Sequence, residues 1–235
     1  MKLFDDTSGH TRIKFCGLTR AEDVEAPLAL DVDAIGFVFA ARSKRRVDIA
    51  QAVALRSRVP ATVAAVVLLM DNPEDDVRAV VDAVGPELLQ FHGSEDDAFC
   101  AGFGLPWMKA IAMAGADTAT VQARLDAHPR AQAFLLDSHA AGAGGGTGHR
   151  FDWSQIPQGI DRPWFLAGGL DPDNVFDAVR SVRPWGVDVS SGIEASGSEA
   201  GGSERIPGIK DAERMRAFVG QVRRADRARR DIPLT

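Results

Sequence analysis

The chain contains little cysteine: only 2 of its 235 residues, Cys16 and Cys100, carry a thiol. They are far apart and form neither a CxxC pair nor a cluster with histidine, so cysteine supplies no ligand set for a metal site. A chain of this length buries about 70% of the surface that its unfolded form exposes, so it needs no disulfide for stability. We therefore expect reduced thiols, no metal and a cytoplasmic location.

Long apolar runs are also missing. No stretch approaches the roughly 18 to 20 apolar residues of a membrane span, and residues 1–11 lack the apolar core and cleavage site of a signal peptide. The formal charge of −6 argues against broad contact with nucleic acid. We therefore expect neither a membrane nor a nucleic-acid partner. The basic residues at the C-terminus are interpreted as a solvated helix end: Arg223, Arg224, Arg227, Arg229 and Arg230.

Apolar runs rich in Val, Ile and Phe alternate with segments of helical period, and Gly, Pro or Asp stands at nearly every junction. The runs predict eight strands, at residues 12–16, 34–39, 62–69, 88–92, 106–111, 133–137, 163–167 and 186–190. The helical patterns lie at residues 19–30, 48–57, 73–84, 94–103, 117–128, 171–182 and 210–226, with a weaker one at 151–157. Strands that alternate with helices form a parallel sheet, because a parallel crossover needs a covering helix.

Eight such units in one chain of this length favour an α/β fold with a single (β/α)8 TIM barrel over a doubly wound open sheet. We predict a poorly ordered N-terminal extension over residues 1–11, the barrel domain over 12–226 and a basic tail over 227–235. The first helix has the spacing of a capping box, with Thr19 three residues before Glu22. Active sites of this fold lie at the carboxyl ends of the strands, so the functional residues are expected there.

Two ionisable residues end predicted strands. Cys16 ends the first strand and Asp137 ends the sixth. Taken singly, a cysteine in a strand is more often a small buried hydrophobe, and an aspartate after a strand is more often a turn former. At the mouth of one barrel, however, the two could act as a base and an acid on opposite sides of a substrate.

Glycine-rich turns follow the last two strands, at Gly168-Gly169 and at Ser190-Ser191-Gly192. Backbone N–H groups at these places form the usual phosphate site of this fold, which predicts a phosphorylated small-molecule substrate. The loop at 41–47 after the second strand is cationic in an acidic protein, and it is either a solvated charge run or a clamp for a carboxylate. His92 ends the fourth strand at the same rim, where a structural and a catalytic role are equally open.

Together these junctions resemble the phosphoribosylanthranilate isomerase family of tryptophan biosynthesis. The similarity runs through nearly the whole chain in the family's order. The matching segments are KFCGLT (14–19), DAIGFVFAARSKRRV (33–47), LLQFHG (88–93), LLDS (135–138), GGTGHRFDW (145–153), LAGGLDPDNV (166–175), VDVSSGIE (187–194) and IKDAERM (209–215).

The resemblance implies an enzyme that converts N-(5′-phosphoribosyl)anthranilate into 1-(2-carboxyphenylamino)-1-deoxyribulose 5-phosphate by an Amadori rearrangement, without a metal or an organic cofactor. It implies that Cys16 is the general base, Asp137 the general acid and Arg45 the residue that binds the anthranilate carboxylate, with Arg46 as the alternative to Arg45. His92 is placed with Arg45 among the substrate-binding residues. The phosphate-binding residues that follow are Gly145, Gly146, Gly168, Gly169, Ser190, Ser191 and Gly192.

Four further expectations complete the prediction. For Asp137 to donate a proton, its pKa should be raised by the barrel mouth and the substrate phosphate. Lys14 and Asp188 should meet inside the barrel, because alternation points both inward and closure sets the eighth strand beside the first. The segment 195–207, rich in Gly and Ser, should form a mobile rim, and the assembly should be a monomer or a homodimer.

Other readings of the same junctions remain. One is a related phosphosugar barrel: the aldose–ketose isomerase of histidine biosynthesis, an enzyme that combines both isomerisations, or indole-glycerol-phosphate synthase. The histidine-pathway enzyme has an aspartate at the end of its first strand, where this chain has Cys16. A barrel that only binds phosphorylated ligands is a different class, and the joint presence of Cys16 and Asp137 argues against it.

Overall fold

The structure is a computed structural model that describes residues 2–4, 9–139, 151–197 and 205–230. Eight parallel strands close into a barrel in sequence order, with β8 paired to β1, which confirms the predicted (β/α)8 fold. The barrel strands are β1 Arg12–Cys16, β2 Ala34–Val38, β3 Ala64–Leu69, β4 Leu88–Phe91, β5 Trp107–Ala112, β6 Ala133–Asp137, β7 Trp164–Leu166 and β8 Gly186–Val189.

Helices cover the outside of this sheet. They are α1 Ala21–Leu28, α2 Ile49–Arg56, α3 Glu74–Val84, α4 Asp97–Ala101, α5 Thr118–Asp126, α6 Val175–Val182 and α7 Ala212–Arg230. The weak pattern at 151–157 forms only a 3-10 turn at Trp153–Gln155. Since α7 runs to Arg230, it continues past the predicted end of the barrel domain at residue 226, and the division into domains stays a prediction.

All residues of the barrel strands are buried except the first residue of β7, which is partly buried. This burial explains why the strands appear in the sequence as near-continuous apolar runs. One core lies between the strands and the helices, and it includes Ile13, Phe15 and Val67. A second core fills the barrel interior towards the amino ends of the strands, here called the lower interior, with residues such as Met108 and Phe165. Leu3 packs into this second core and is 2% exposed.

The predicted capping box of α1 does not form. Arg20 holds the N-cap position without a side-chain hydrogen bond to the helix, while Thr19 Oγ1 donates to the carbonyl of Gly208 over 2.6 Å. The hydroxyl therefore joins the first loop to a segment near the C-terminus, a tertiary partner that local spacing cannot reveal.

The segment after β8 carries a small antiparallel sheet of β9 Glu194–Ser196 and β10 Arg205–Lys210. Residues 198–204, which belong to the predicted mobile rim, lie outside the described residues. The predicted N-terminal extension is described only in part, with a 3-10 turn at Lys2–Phe4, and its order stays a prediction. In the described part of the chain, no helix is both long and apolar enough to cross a membrane.

Candidate active site

Strand β1 places Cys16 at its carboxyl end, beside a buried charge pair. Lys14 and Cys16 lie two residues apart and share a face of the sheet, and Asp188 on β8 is the register partner of Lys14. Lys14 Nζ donates to Asp188 Oδ1 over 2.7 Å, which confirms the predicted pair. Burial raises the pKa of the Cys16 thiol, and the positive charge of Lys14 opposes that rise.

Strand β2 leaves room for these groups at Gly36. A Cβ built there would lie 3.0 Å from Cys16 Sγ and 3.3 Å from Lys14 Nζ. Thiol and ammonium therefore sit against the same spot on the neighbouring strand, and a larger residue at Gly36 would press on both.

Asp137 ends β6 between two imidazoles. Its Oδ2 lies 3.4 Å from His92 Nε2 and 3.6 Å from His139 Nδ1, and the two ring nitrogens are 3.3 Å apart. The other oxygen, Oδ1, is buried and has no hydrogen-bond partner among the described residues. The cluster of His92, Asp137 and His139 thus leaves one carboxylate oxygen uncommitted.

The expected rise in the pKa of Asp137 is wrong for this structure. Burial by itself raises the pKa of the carboxyl, but hydrogen bonds from His139 and His92, together with their charge, outweigh burial and hold the pKa well below its usual range. The expectation failed because it considered the barrel mouth and a substrate phosphate, and did not include two histidines in contact with the carboxylate.

Arg45 is held by a buried carboxylate. Its Nε and Nη2 donate to the two oxygens of Glu194 over 2.6 and 2.8 Å, a bidentate pair that fixes the guanidinium plane. Glu194 Oε1 also accepts from Lys210 Nζ over 3.1 Å and from the Gly208 N–H over 2.8 Å. The remaining nitrogen of Arg45, Nη1, makes no hydrogen bond to the described residues. Arg46 is largely exposed.

The turns after β7 and β8 bring backbone close to backbone. Gly168 has φ of +83°, and a Cβ there would collide with Ser138. Ser190 forms two hydrogen bonds that fix the turn after β8. Its Oγ donates to the Cys16 carbonyl over 3.0 Å, and its own carbonyl accepts from Lys210 Nζ over 2.9 Å. Gly145 and Gly146, the other predicted phosphate residues, lie outside the described residues.

One cavity of about 710 Å³ joins most of these groups at the carboxyl ends of the strands. The predicted residues that it collects are Cys16, Arg45, His92, Asp137, Gly169, Ser190, Ser191 and Gly192. The cavity therefore offers a thiol, a carboxylate, a guanidinium and glycine-rich turns to one ligand of small-molecule size.

Sequence reasoning missed His139 and the partners of Arg45. His139 stands two residues after Asp137, a spacing that places both on one side of an extended chain and could have suggested it. Glu194 and Lys210 were inside the matching segments VDVSSGIE and IKDAERM, but only the folded chain shows that they meet at Arg45.

Comparisons with known proteins agree with this architecture. A family model described as N-(5′-phosphoribosyl)anthranilate (PRA) isomerase matches residues 13–221. The N-(5′-phosphoribosyl)anthranilate isomerase of Stenotrophomonas maltophilia (strain R551-3) is 53% identical over 216 residues, covering 92% of this chain and 94% of that protein.

Two solved structures are similar over the barrel. Phosphoribosyl anthranilate isomerase from Thermotoga maritima superposes with a TM-score of 0.78 at 30% identity, over 91% of this chain and 98% of that one. A phosphoribosyl anthranilate isomerase in complex with reduced 1-(o-carboxyphenylamino)-1-deoxyribulose 5-phosphate gives 0.73 at 27% identity, over 91% and 98%. The chain therefore belongs to the N-(5′-phosphoribosyl)anthranilate isomerase family.

Proposed function

We propose that the cavity at the barrel mouth converts N-(5′-phosphoribosyl)anthranilate into 1-(2-carboxyphenylamino)-1-deoxyribulose 5-phosphate, with Cys16 and Asp137 as the proton-transfer pair. Membership of the family supports the reaction. A similar structure binds the reduced form of the product, a molecule with a phosphate at one end and a carboxylate at the other. The observation that carries the assignment of residues is that the thiol and the carboxylate line one cavity.

The substrate carries a phosphate and a carboxylate, and the cavity offers groups that can bind each of them. We assign the phosphate to the backbone N–H groups after β7 and β8, at Gly168, Gly169, Ser190, Ser191 and Gly192, with Gly145 and Gly146 as further candidates. We assign the anthranilate carboxylate to Nη1 of Arg45, the nitrogen that Glu194 leaves free. Holding both ends orients the reacting carbons between the base and the acid.

Ring opening needs a proton on the ribose ring oxygen. Asp137 donates it, the bond between C1′ and the ring oxygen breaks, and the nitrogen lone pair forms an iminium with C1′. The iminium acidifies the proton on C2′, and the Cys16 thiolate removes it to give an enolamine. Transfer of the hydroxyl proton of C2′ to C1′ then completes the ketone. The Cys16 thiol releases its proton to solvent, and Asp137 regains a proton that comes from solvent through a neighbouring imidazole.

The proton on Asp137 must arrive through a neighbour. The described groups in contact with its carboxylate are His92 and His139, so one of these imidazoles passes the proton to it. Asp137 lines the cavity, and we assign its carboxyl group to the ring oxygen of the substrate. Lys14 acts on the base, because its ammonium stabilises the thiolate of Cys16.

The reaction is tested by mixing the purified chain with freshly generated phosphoribosylanthranilate and following the loss of its fluorescence. A first-order loss that scales with enzyme concentration is expected. The same preparation is assayed with the aldose substrate of the histidine-pathway isomerase, and turnover of that substrate in place of phosphoribosylanthranilate would contradict the proposal. A cytoplasmic location, a monomeric or homodimeric state and the lack of a nucleic-acid partner stay predictions.

A further inference from the structure

His92, Asp137 and His139 offer one nitrogen or oxygen atom each, and all three atoms lie within 4.8 Å of one another. All three residues are buried. The distances among the facing atoms are 3.3, 3.4 and 3.6 Å. Around a tetrahedral ion with bonds of about 2.0 to 2.1 Å, neighbouring ligand atoms lie about 3.3 to 3.4 Å apart. The cluster thus already has the spacing of three corners of a tetrahedral metal site.

We propose that His92 Nε2, Asp137 Oδ2 and His139 Nδ1 bind a zinc ion, whose fourth position is reached from the cavity at the barrel mouth. Two imidazoles and a carboxylate with one open position form a common ligand set for zinc. His92 and Asp137 line the cavity, so an ion can enter and a water molecule or a ligand can complete its coordination.

The surroundings of the cluster suit a metal site. The Nδ1 of His92, which faces away from the cluster, is 3.3 Å from the side-chain amide of Gln90, and an outer partner of this kind orients a metal-binding imidazole. Gln90 Oε1 is buried without a hydrogen-bond partner in the described residues. Half a turn of the amide lets this oxygen accept from Nδ1–H, which leaves Nε2 with a lone pair for the ion.

The kind of ligand atom also fits. The cluster offers two imidazole nitrogens and one carboxylate oxygen, and such groups bind a divalent cation in their deprotonated forms. Cys16 lines the same cavity but is not part of the three-residue cluster, so the proposed ligand set is nitrogen and oxygen only.

Zinc at this position would compete with the isomerase reaction, and this consequence rests on the proposed function. The ion binds the carboxylate that we assign as the acid, and it occupies the imidazole nitrogens that would pass a proton to it. We therefore expect zinc to inhibit the reaction and a chelator to restore it.

Binding is measured first, without reference to activity. The metal-free full chain is titrated with zinc by calorimetry, and cobalt is used as a coloured substitute. We expect a site whose cobalt complex shows the visible bands of tetrahedral nitrogen and oxygen ligands. His139→Gln should weaken zinc binding by more than the 10- to 100-fold that an outer partner typically contributes. His10→Gln, at the opposite end of the barrel, is the matched control and should bind as the wild type does.

Cys16→Ser separates this site from a thiolate site. It should keep the zinc affinity and the cobalt spectrum, and a thiolate-to-cobalt charge-transfer band that disappears in Cys16→Ser would overturn the proposed ligand set. Failure of the wild type to bind zinc at millimolar metal would overturn the site. If His139→Gln does not fold, two other measurements test the site. They are the cobalt spectrum of the wild type and the rise in unfolding temperature that zinc causes in the wild type and in Cys16→Ser.

The isomerase assay then tests the consequence separately. Inhibition by zinc that a chelator reverses, in both wild type and His10→Gln, supports the whole account. Zinc binding that leaves the isomerase activity unchanged would contradict the role of Asp137 as the acid, and it would leave the metal site standing.

Discussion

The two ends of the barrel are built from the same eight strands but are filled differently. The lower interior is mostly apolar, with Met108, Leu135 and Phe165 around it and Leu3 packed against them, and the buried Arg12 at this end is paired with Asp33. The upper interior, towards the carboxyl ends of the strands, holds more buried charge: Lys14 is fully buried against Asp188, and Asp137 lies between two histidines. The amino ends of the strands thus mainly stabilise the fold, while the carboxyl ends also present the candidate catalytic groups. Changes at the two ends should therefore have separable effects.

The largest loss of activity is expected from the upper end. Asp137→Asn keeps the shape of the side chain but removes the acid, so kcat should fall by about 10² to 10⁴ while KM changes little. Steady-state assays measure both constants. Asp161→Asn, which alters an exposed carboxylate, is the matched control. A variant Asp137→Asn with wild-type kcat would show that another group protonates the ring oxygen.

The buried pair at the upper end also contributes to stability. Asp188→Ala leaves the Lys14 ammonium unpaired in a dry environment and should lower the free energy of unfolding by about 3 to 5 kcal/mol, measured by urea denaturation. Replacing both partners with apolar residues, as in Lys14→Met with Asp188→Leu, should recover much of that loss. If the double variant is as unstable as Asp188→Ala, packing and not the unpaired charge is the cause.

At the lower end the pattern should reverse. Met108→Ala creates a cavity in the apolar core and should cost about 2 to 5 kcal/mol of unfolding free energy. Because Met108 does not line the mouth, kcat and KM of the folded variant should match the wild type. A loss of kcat as large as that of Asp137→Asn would contradict the separation of the two ends.

Substitution of Arg45 tests whether this residue binds the carboxylate of the substrate. Arg45→Ala removes a charged hydrogen bond and should raise KM by an amount worth about 1.5 to 3 kcal/mol, with a smaller effect on kcat. Arg46→Ala is the control, since Arg46 is largely exposed and Arg45 is held by Glu194. A large rise in KM for Arg46→Ala alone would transfer the role to that residue.

The pH dependence of kcat/KM reports on the base. The thiolate is the active form, so activity should rise with pH through the pKa of Cys16, and since burial raises that pKa, the rise should lie on the alkaline side of an ordinary thiol. The Lys14 charge lowers this pKa and the Asp188 charge raises it. Lys14→Gln should therefore move the rise in kcat/KM to higher pH, and Asp188→Asn should move it to lower pH. If both variants move the rise in the same direction, the electrostatic account is contradicted.

Much of this contrast could be predicted from the sequence. The strands were visible because parallel strands buried on both faces are continuous apolar runs, as at Ala64–Leu69. The pairing of Lys14 with Asp188 followed from two regular features, the alternation of side chains along a strand and the closure of the barrel.

Contacts made by loops could not be predicted in the same way. Thr19 has the spacing of a helix cap but bonds Gly208 instead, because a distant backbone carbonyl lies within reach. The pKa of Asp137 was expected in the wrong direction because the contacts of its carboxylate with His92 and His139 were not included. Glu194, which follows β8, likewise contacts Arg45 in the loop after β2, and no local pattern indicates that contact.

The central claim is that the thiol of Cys16 removes the proton from C2′, and Cys16→Ser tests it most directly. The exchange nearly preserves shape but replaces a thiol, whose pKa is raised by burial, with an alcohol that is a far poorer base at any pH where the enzyme is folded. We predict that kcat falls by about 10² to 10⁴, that the unfolding free energy stays at the wild-type value, and that the alkaline rise in kcat/KM disappears. A Cys16→Ser enzyme with wild-type kcat and an unchanged pH profile would contradict the account, because the thiol would then be only a buried hydrophobe.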